Sequence, residues 1–151
     1  MNQTQLNKYL ENHKLWLESN GNQGKKANLN DKILKNLNLK KAILIKANLQ
    51  NSNLQDVNLS GSSLQNTNLK NVNLQNASLL KSFLANADLQ DAKLFGCFFA
   101  NANLQNANLK NTWLTMCSFQ NANLQNANLE NTINTKTANI TNAIINHTTI
   151  D

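Results

Sequence analysis

The residues with chemistry to offer are few: Asp88 and Asp91, three apart; Cys97 and Cys117, twenty apart; His13 and His147, near opposite ends; and seven lysines between positions 25 and 46. A carboxylate pair could serve as general acid and base, two thiols could form a disulfide, thiols with a histidine could hold zinc, and a lysine run could follow a phosphate backbone. Each needs its members to converge. There is no CxxC or Cys/His cluster and no glycine-rich phosphate loop among only four glycines. Neither an enzyme, nor a cofactor, nor a metal site is expected. Whether the remaining groups meet depends on the elements that carry them.

The pattern of those elements is a period of five. Every fifth residue from Leu29 to Leu129 is Leu, except Phe99 and Phe119. Two residues earlier stands a small or short side chain (Ala, Ser, Thr, Val or Cys), the exceptions being Lys32 and Leu37, and the positions between are mostly polar. A helix would place successive leucines about 140° apart around its axis, and a flat strand would send them to alternate faces. A chain that turns a quarter circle every five residues gathers them instead. Four pentapeptides then close one square coil, which stacks on the next at about 4.8 Å with backbone hydrogen bonds between coils. The central Leu and the small residue two before it point inward. Asn supplies the corners because it tolerates left-handed backbone angles and bonds its own turn. In this frame Asn28, Asn48, Asn68, Asp88, Asn108 and Asn128 form one ladder whose side-chain amides should bond from coil to coil. Asp88 and Asp91 fall on outward positions that elsewhere hold Asn, and read as solvated substitutions.

The motif small–polar–Leu–polar–polar, as in Ala102-Asn103-Leu104-Gln105-Asn106, resembles the pentapeptide-repeat family over about four fifths of the chain. The resemblance implies an all-β solenoid, a right-handed quadrilateral β-helix, here of about six coils. The segment "HKLWLESNGNQGKKANL" is similar to the leader of many bacterial members, a helix followed by a glycine-containing loop. Some members of that family resemble DNA in shape and charge and protect DNA gyrase, but such mimicry needs an acidic surface. This chain carries a net charge of +6.

Both ends of a solenoid need covers. Residues 1–26 read as a capping helix and loop, with Thr4 as the helix cap, the helix over 5–19, and Asn20-Gly21 as its stop. Leu6, Leu10, His13 and Leu17, flanked by Tyr9 and Trp16, form its apolar stripe, on which His13 is a packing residue. Glu11 and Glu18 beside Lys8 and Lys14 argue against a membrane-surface helix. Residues 27–151 read as the β-helix. Its register slips by one after Leu129, around 131–137, and resumes with Ile140, Ile145 and Ile150. No second helix covers the last coil, so a homodimer through the C-terminal end is a reasonable expectation. Cys97 and Cys117 lie in small-residue slots on adjacent coils, their Cβ atoms too far apart to favour a disulfide, and Phe99 and Phe119 stack in one core column.

On the outside the exceptions to polarity gather. Leu80, Phe83, Phe95, Phe98, Trp113 and Met116 fall on outward positions of neighbouring coils, with small Gly96 and Ala100 among them. Such a cluster is either a protein-binding patch or tolerated exposure. The leading expectation is a non-catalytic scaffold that presents this patch to a protein partner. The alternative is direct nucleic-acid binding through Lys25, Lys26, Lys35, Lys40, Lys41 and Lys46, although no Arg or aromatic residue lies among them. Lacking an apolar run suited to a signal or a membrane span, the sequence reads as cytoplasmic.

Overall fold

The structure, a computed structural model, describes residues 1–133, 137–145 and 149–150. From Asn28 onward each residue that precedes a central Leu makes a parallel bridge to the residue twenty further on: Asn28 to Asn48, Ile33 to Asn53, Asn38 to Asn58, Ile43 to Ser63, and so on upward. A tight turn follows every central residue. The second residue after it has φ between +54° and +69° at all corners from Asp31 to Asn131. Five residues per side and twenty per coil therefore give four faces, whose central residues begin at Leu29, Leu34, Leu39 and Leu44; we number the faces in that order.

One repeat shows how the backbone is satisfied. The Asn48 N–H donates down to the Ala27 carbonyl at 3.0 Å, and the Leu49 N–H donates up to Asn68 at 2.8 Å. The Asn51 N–H donates up to Lys70 at 2.9 Å, while that of Ser52 closes the turn onto Leu49 at 3.1 Å. Every central residue from Leu29 to Leu129 is buried, each burial contributing roughly 1.5–3 kcal/mol. Hydroxyls in the small slots are mostly matched to turn carbonyls, as Ser52 Oγ to Leu49 at 2.6 Å and Thr112 Oγ1 to Leu109 at 2.7 Å. Cys97 and Cys117 are free and buried, and their Sγ atoms donate to the Leu74 and Leu94 carbonyls. Burial drives both thiols toward the protonated form, pushing the pKa of Cys117 up to about 12. Above them Phe99 and Phe119 stack with centroids 4.9 Å apart and planes 2° from parallel.

The expected Asn ladder on the first face is present along the backbone, but its side chains mostly bond elsewhere. Only Asn28–Asn48 and Asp88–Asn108 join coil to coil, at 3.1 and 3.0 Å. More often the side-chain oxygen turns to the N–H two residues on, as in Asn48 to Gln50, because that donor sits in its own turn at no cost in ordering. A second amide ladder runs instead up a corner: Asn51 to Asp31, Asn111 to Asp91 and Asn131 to Asn111.

The helix α1 spans Gln3–Glu18 and starts earlier than expected. Its cap is Asn2 rather than Thr4. Asn2 Oδ1 accepts from the Gln5 N–H while Gln5 Oε1 accepts from the Asn2 N–H, both at 2.9 Å, a reciprocal pair that Thr4 could not make from inside the first turn. Asn20 and Gly21, both at positive φ, end the helix as expected. Leu6 and His13 are fully buried against the open end of the first coil. In later repeats the N–H of the small residue closes the preceding turn. Ala27 has no such turn, and His13 Nδ1 accepts its N–H at 3.1 Å. Likewise the Gln3 side-chain amide meets both the N–H and the carbonyl of Asn38, at 2.8 and 3.2 Å, covering the edge that a coil beneath would otherwise occupy.

This role makes the cap sensitive to acid. Burial lowers the pKa of His13 below 6.5; the Ile45 backbone opposes the shift and Lys26 adds to it. The unfolded chain therefore binds a proton near pH 6.5 that the native chain resists, so the stabilisation is complete above that pH and is lost as pH falls through and below it. Thermal melting between pH 7.5 and 5.5 should show a falling Tm whose slope flattens in His13→Asn. An unchanged slope would remove His13 as its source.

At the far end the bridge offset changes from 20, at Trp113 to Ile133, to 21, at Ser118 to Asn139. One additional residue thus enters the last coil, across a slip whose positions 134–136 lie outside the described residues. Beyond it β1 (Asn128–Leu129) pairs in parallel with β2 (Thr149–Ile150). Ile140 and Ile145, at central positions of this coil, remain exposed.

Candidate protein-interaction surface

The coil geometry decides where each outward residue stands. Trp113 lies on the second face, bridged to Lys93 below and Ile133 above; Phe98 lies on the third face between Ser78 and Ser118; Phe83 lies on the fourth between Ser63 and Asn103. Phe95 and Met116 occupy the corner between the second and third faces, and Leu80 the next corner. All six are exposed, Trp113 and Met116 at 58% and 64% and the others between 40% and 49%. They wind around the middle of the rod.

Between Trp113 and Phe95 the second face forms a cleft of about 520 Å³, with Lys93 among its lining and the Asp91–Asn111 hydrogen bond of 2.8 Å beside it. Two contributors escaped the sequence reading. Lys93 and Ile133 share the column of Trp113, one coil below and one above, so a count of twenty in each direction would have found them. Gly96 takes the corner of this region without strain. It has φ +69°, and a Cβ there would come 2.6 Å from Asn76 Oδ1.

Met116 sits at a costly position. Twelve of the corner residues at positive φ from 31 to 131 are Asn, three Asp, three Lys and two Gly; Met116, at φ +57°, is the only apolar one. A left-handed conformation costs a residue with an ordinary side chain roughly 1–2 kcal/mol, less for Asn. Met116→Asn should therefore stabilise the fold by about 1 kcal/mol in chemical denaturation. A loss of stability would mean that the Met side chain repays its corner by packing.

Asp88 and Asp91 are held by structural partners. Asp88 pairs with Lys70 at 3.1 Å and accepts from Asn108; Asp91 accepts from Asn111 and Gln90. Among the described residues no group of His, Cys, Asp and Glu could hold a metal ion, and no helix is long and apolar enough to cross a membrane. The six lysines considered for nucleic acid separate. Lys25 and Lys26 line a cleft beside α1, Lys35 pairs with Asp56 at 3.4 Å, and Lys35, Lys40 with Lys41, and Lys46 stand at three successive corners.

A chain that bridges itself every twenty residues around a leucine core, within a largely polar shell, is a β-solenoid. Comparison with known proteins specifies which. The sequence model for Pentapeptide repeats matches 8 copies, over residues 25–61, 52–91, 84–118 and 117–133. The chain belongs to the pentapeptide repeat family, whose repeats form the right-handed quadrilateral β-helix. Among solved structures it is similar to a pentapeptide repeat protein from the cyanobacterium Cyanothece, with 28% identity, 79% of this chain and 84% of that one covered, and a TM-score of 0.51. It also matches HetL from the cyanobacterium Nostoc, a protein involved in heterocyst differentiation regulation. The identity there is 29% over 82% of this chain and 62% of that one, with a TM-score of 0.27. A third match is a thylakoid-lumen protein of Arabidopsis thaliana, with 27% identity, coverage of 82% and 71%, and a TM-score of 0.37. Among curated protein sequences none matches significantly.

Proposed function

We propose that this protein is a non-catalytic scaffold whose band of Leu80, Phe83, Phe95, Phe98, Trp113 and Met116 docks a partner protein. The observation that carries this reading is the exposure of six large apolar side chains on three adjoining faces and the corners between them, in neighbouring coils. Coils joined by backbone bonds present side chains with little ordering cost on binding, and aromatic residues and Met are the types enriched at interface cores. Met116, kept at a corner where Asn would be less strained, supports the same reading.

Direct nucleic-acid binding has less support. Lysines on three different corners cannot all face one phosphate backbone, and no arginine is present to read bases. Mimicry of DNA is opposed by the net charge of +6.

Affinity purification from the native cell with wild type and a Phe98→Ser/Trp113→Ser variant tests the proposal. Both side chains are outward, so the variant should keep its fold by circular dichroism while losing its protein partner, with affinity falling roughly tenfold or more. Retention of the same partner at equal affinity would defeat it, and salt-sensitive recovery of nucleic acid by both proteins would favour the alternative.

A further inference from the structure

Away from the apolar band, a cleft of about 640 Å³ lies between α1 and the first coil, lined by Lys8, Tyr9, Lys25, Lys26, Asn28 and Lys32, among others. Its lysines come from three segments. Lys8 shares one stripe of α1 with the other helix residues facing the cleft, Lys25 and Lys26 belong to the link into the first coil, and Lys32 stands where the repeat calls for a small inward residue. Lys32 is exposed instead, its ammonium outside.

No carboxylate lines the cleft. The ion pairs among the described residues use Lys14, Lys35, Lys70 and Lys110, and none of these four lysines. Asp31, beside the cleft in sequence, is already engaged by the side-chain amides of Asn30 and Asn51, at 2.7 and 3.0 Å. Four like charges around a concavity repel one another, and a bound polyanion would relieve that repulsion. Tyr9 adds a half-open aromatic ring. Asn28 Oδ1 is used by Asn30 and Asn48, which leaves its Nδ2 as a further donor.

We propose that this cleft binds a nucleoside polyphosphate, the phosphate chain lying among Lys8, Lys25, Lys26 and Lys32 and the base against Tyr9. The volume lies within the range of about 300–1,000 Å³ that holds small ligands. Lysine suits the phosphate chain because it needs only mobile point charges, and the ring offers any base a stacking face. The site is separate from the apolar band and lies at the α1 end of the rod.

Calorimetric titration of the full chain with ATP, AMP and inorganic tripolyphosphate, at low and high salt, tests this. ATP should bind one to one, more tightly than AMP for its charge and more tightly than tripolyphosphate for its base, and more weakly as salt rises. Lys8→Gln/Lys26→Gln should weaken ATP about tenfold. Tyr9→Leu should bring ATP down to the level of tripolyphosphate, and Lys40→Gln/Lys41→Gln, on a distant corner, should change nothing. ATP-induced NMR shifts on the wild-type chain, confined to α1 and residues 25–32, provide the same test without relying on a variant's fold. Absence of ATP binding, equal loss in Lys40→Gln/Lys41→Gln, or shifts elsewhere would overturn the proposal. So would tighter, Lys40- and Lys41-dependent binding of a single-stranded oligonucleotide, which would assign the charge to nucleic acid.

Discussion

Phe119→Ala should lower stability by on the order of 3–5 kcal/mol in urea denaturation, the cost of emptying a ring-sized space in a close-packed core. The Phe119 ring is 1% exposed and lies flat on Phe99, so neither the coil below nor its own small slot, filled by Cys117, can collapse into the gap. Phe119→Leu should cost only about 1–2 kcal/mol, because the same column holds Leu at positions 39, 59 and 79 and the backbone spacing already suits it. Since each coil touches only its neighbours, hydrogen exchange should report the loss in coils adjoining Phe119 and leave the coils near α1 protected. Equal losses for Ala and Leu would mean that the ring stack, rather than the filled volume, is what the column requires.

Gly24→Ala should detach the cap. Gly24 has φ +70°, and an added Cβ would lie 2.2 Å from the Asn12 carbonyl oxygen and 2.8 Å from both Leu15 Cβ and the Trp16 nitrogen. Two of those atoms are helix backbone and cannot swing aside, so either α1 or the link must move, at a cost of about 3 kcal/mol or more. The adjoining Lys25 N–H, bonded to the Asn12 carbonyl at 3.1 Å, would be lost with it. Gly61→Ala is the control: its φ is +67°, but its Cβ would find only Lys41 Cγ at 3.5 Å, leaving the left-handed backbone cost of about 1 kcal/mol. The helical circular dichroism signal and Trp16 fluorescence should change early in the Gly24 variant and late in the Gly61 variant. Coincident transitions in both would show that the cap and the coils unfold as one unit.

These two sites differ in how visible they were beforehand. The Phe column follows from counting, because a strict period converts sequence position into height and face. The same counting placed the apolar band, and would have placed Lys93 and Ile133 had it been extended one coil each way. Gly24 could not be weighed in that manner. Its importance rests on how closely the link passes α1, which depends on the tilt of a helix that obeys no repeat. The choice of Asn2 over Thr4 as the cap has a related reason: it is decided by the reciprocal bonds between Asn2 and Gln5, which no period marks.

The amino-acid sequence by itself determined the solenoid, its four faces, the inward and outward sets, and the corners where Asn accepts a left-handed backbone. It could do so because interactions that recur at a fixed spacing are local in the folded coil, each rung repeating the one beneath. The tertiary structure alone decided what happens where the repetition stops. It set His13 on the orphan Ala27 N–H and Gln3 on Asn38, turned Lys32 outward, and brought lysines from three segments around the cleft at α1. Those contacts join segments that no period relates, so only the packing of the helix against the first coil could bring them together.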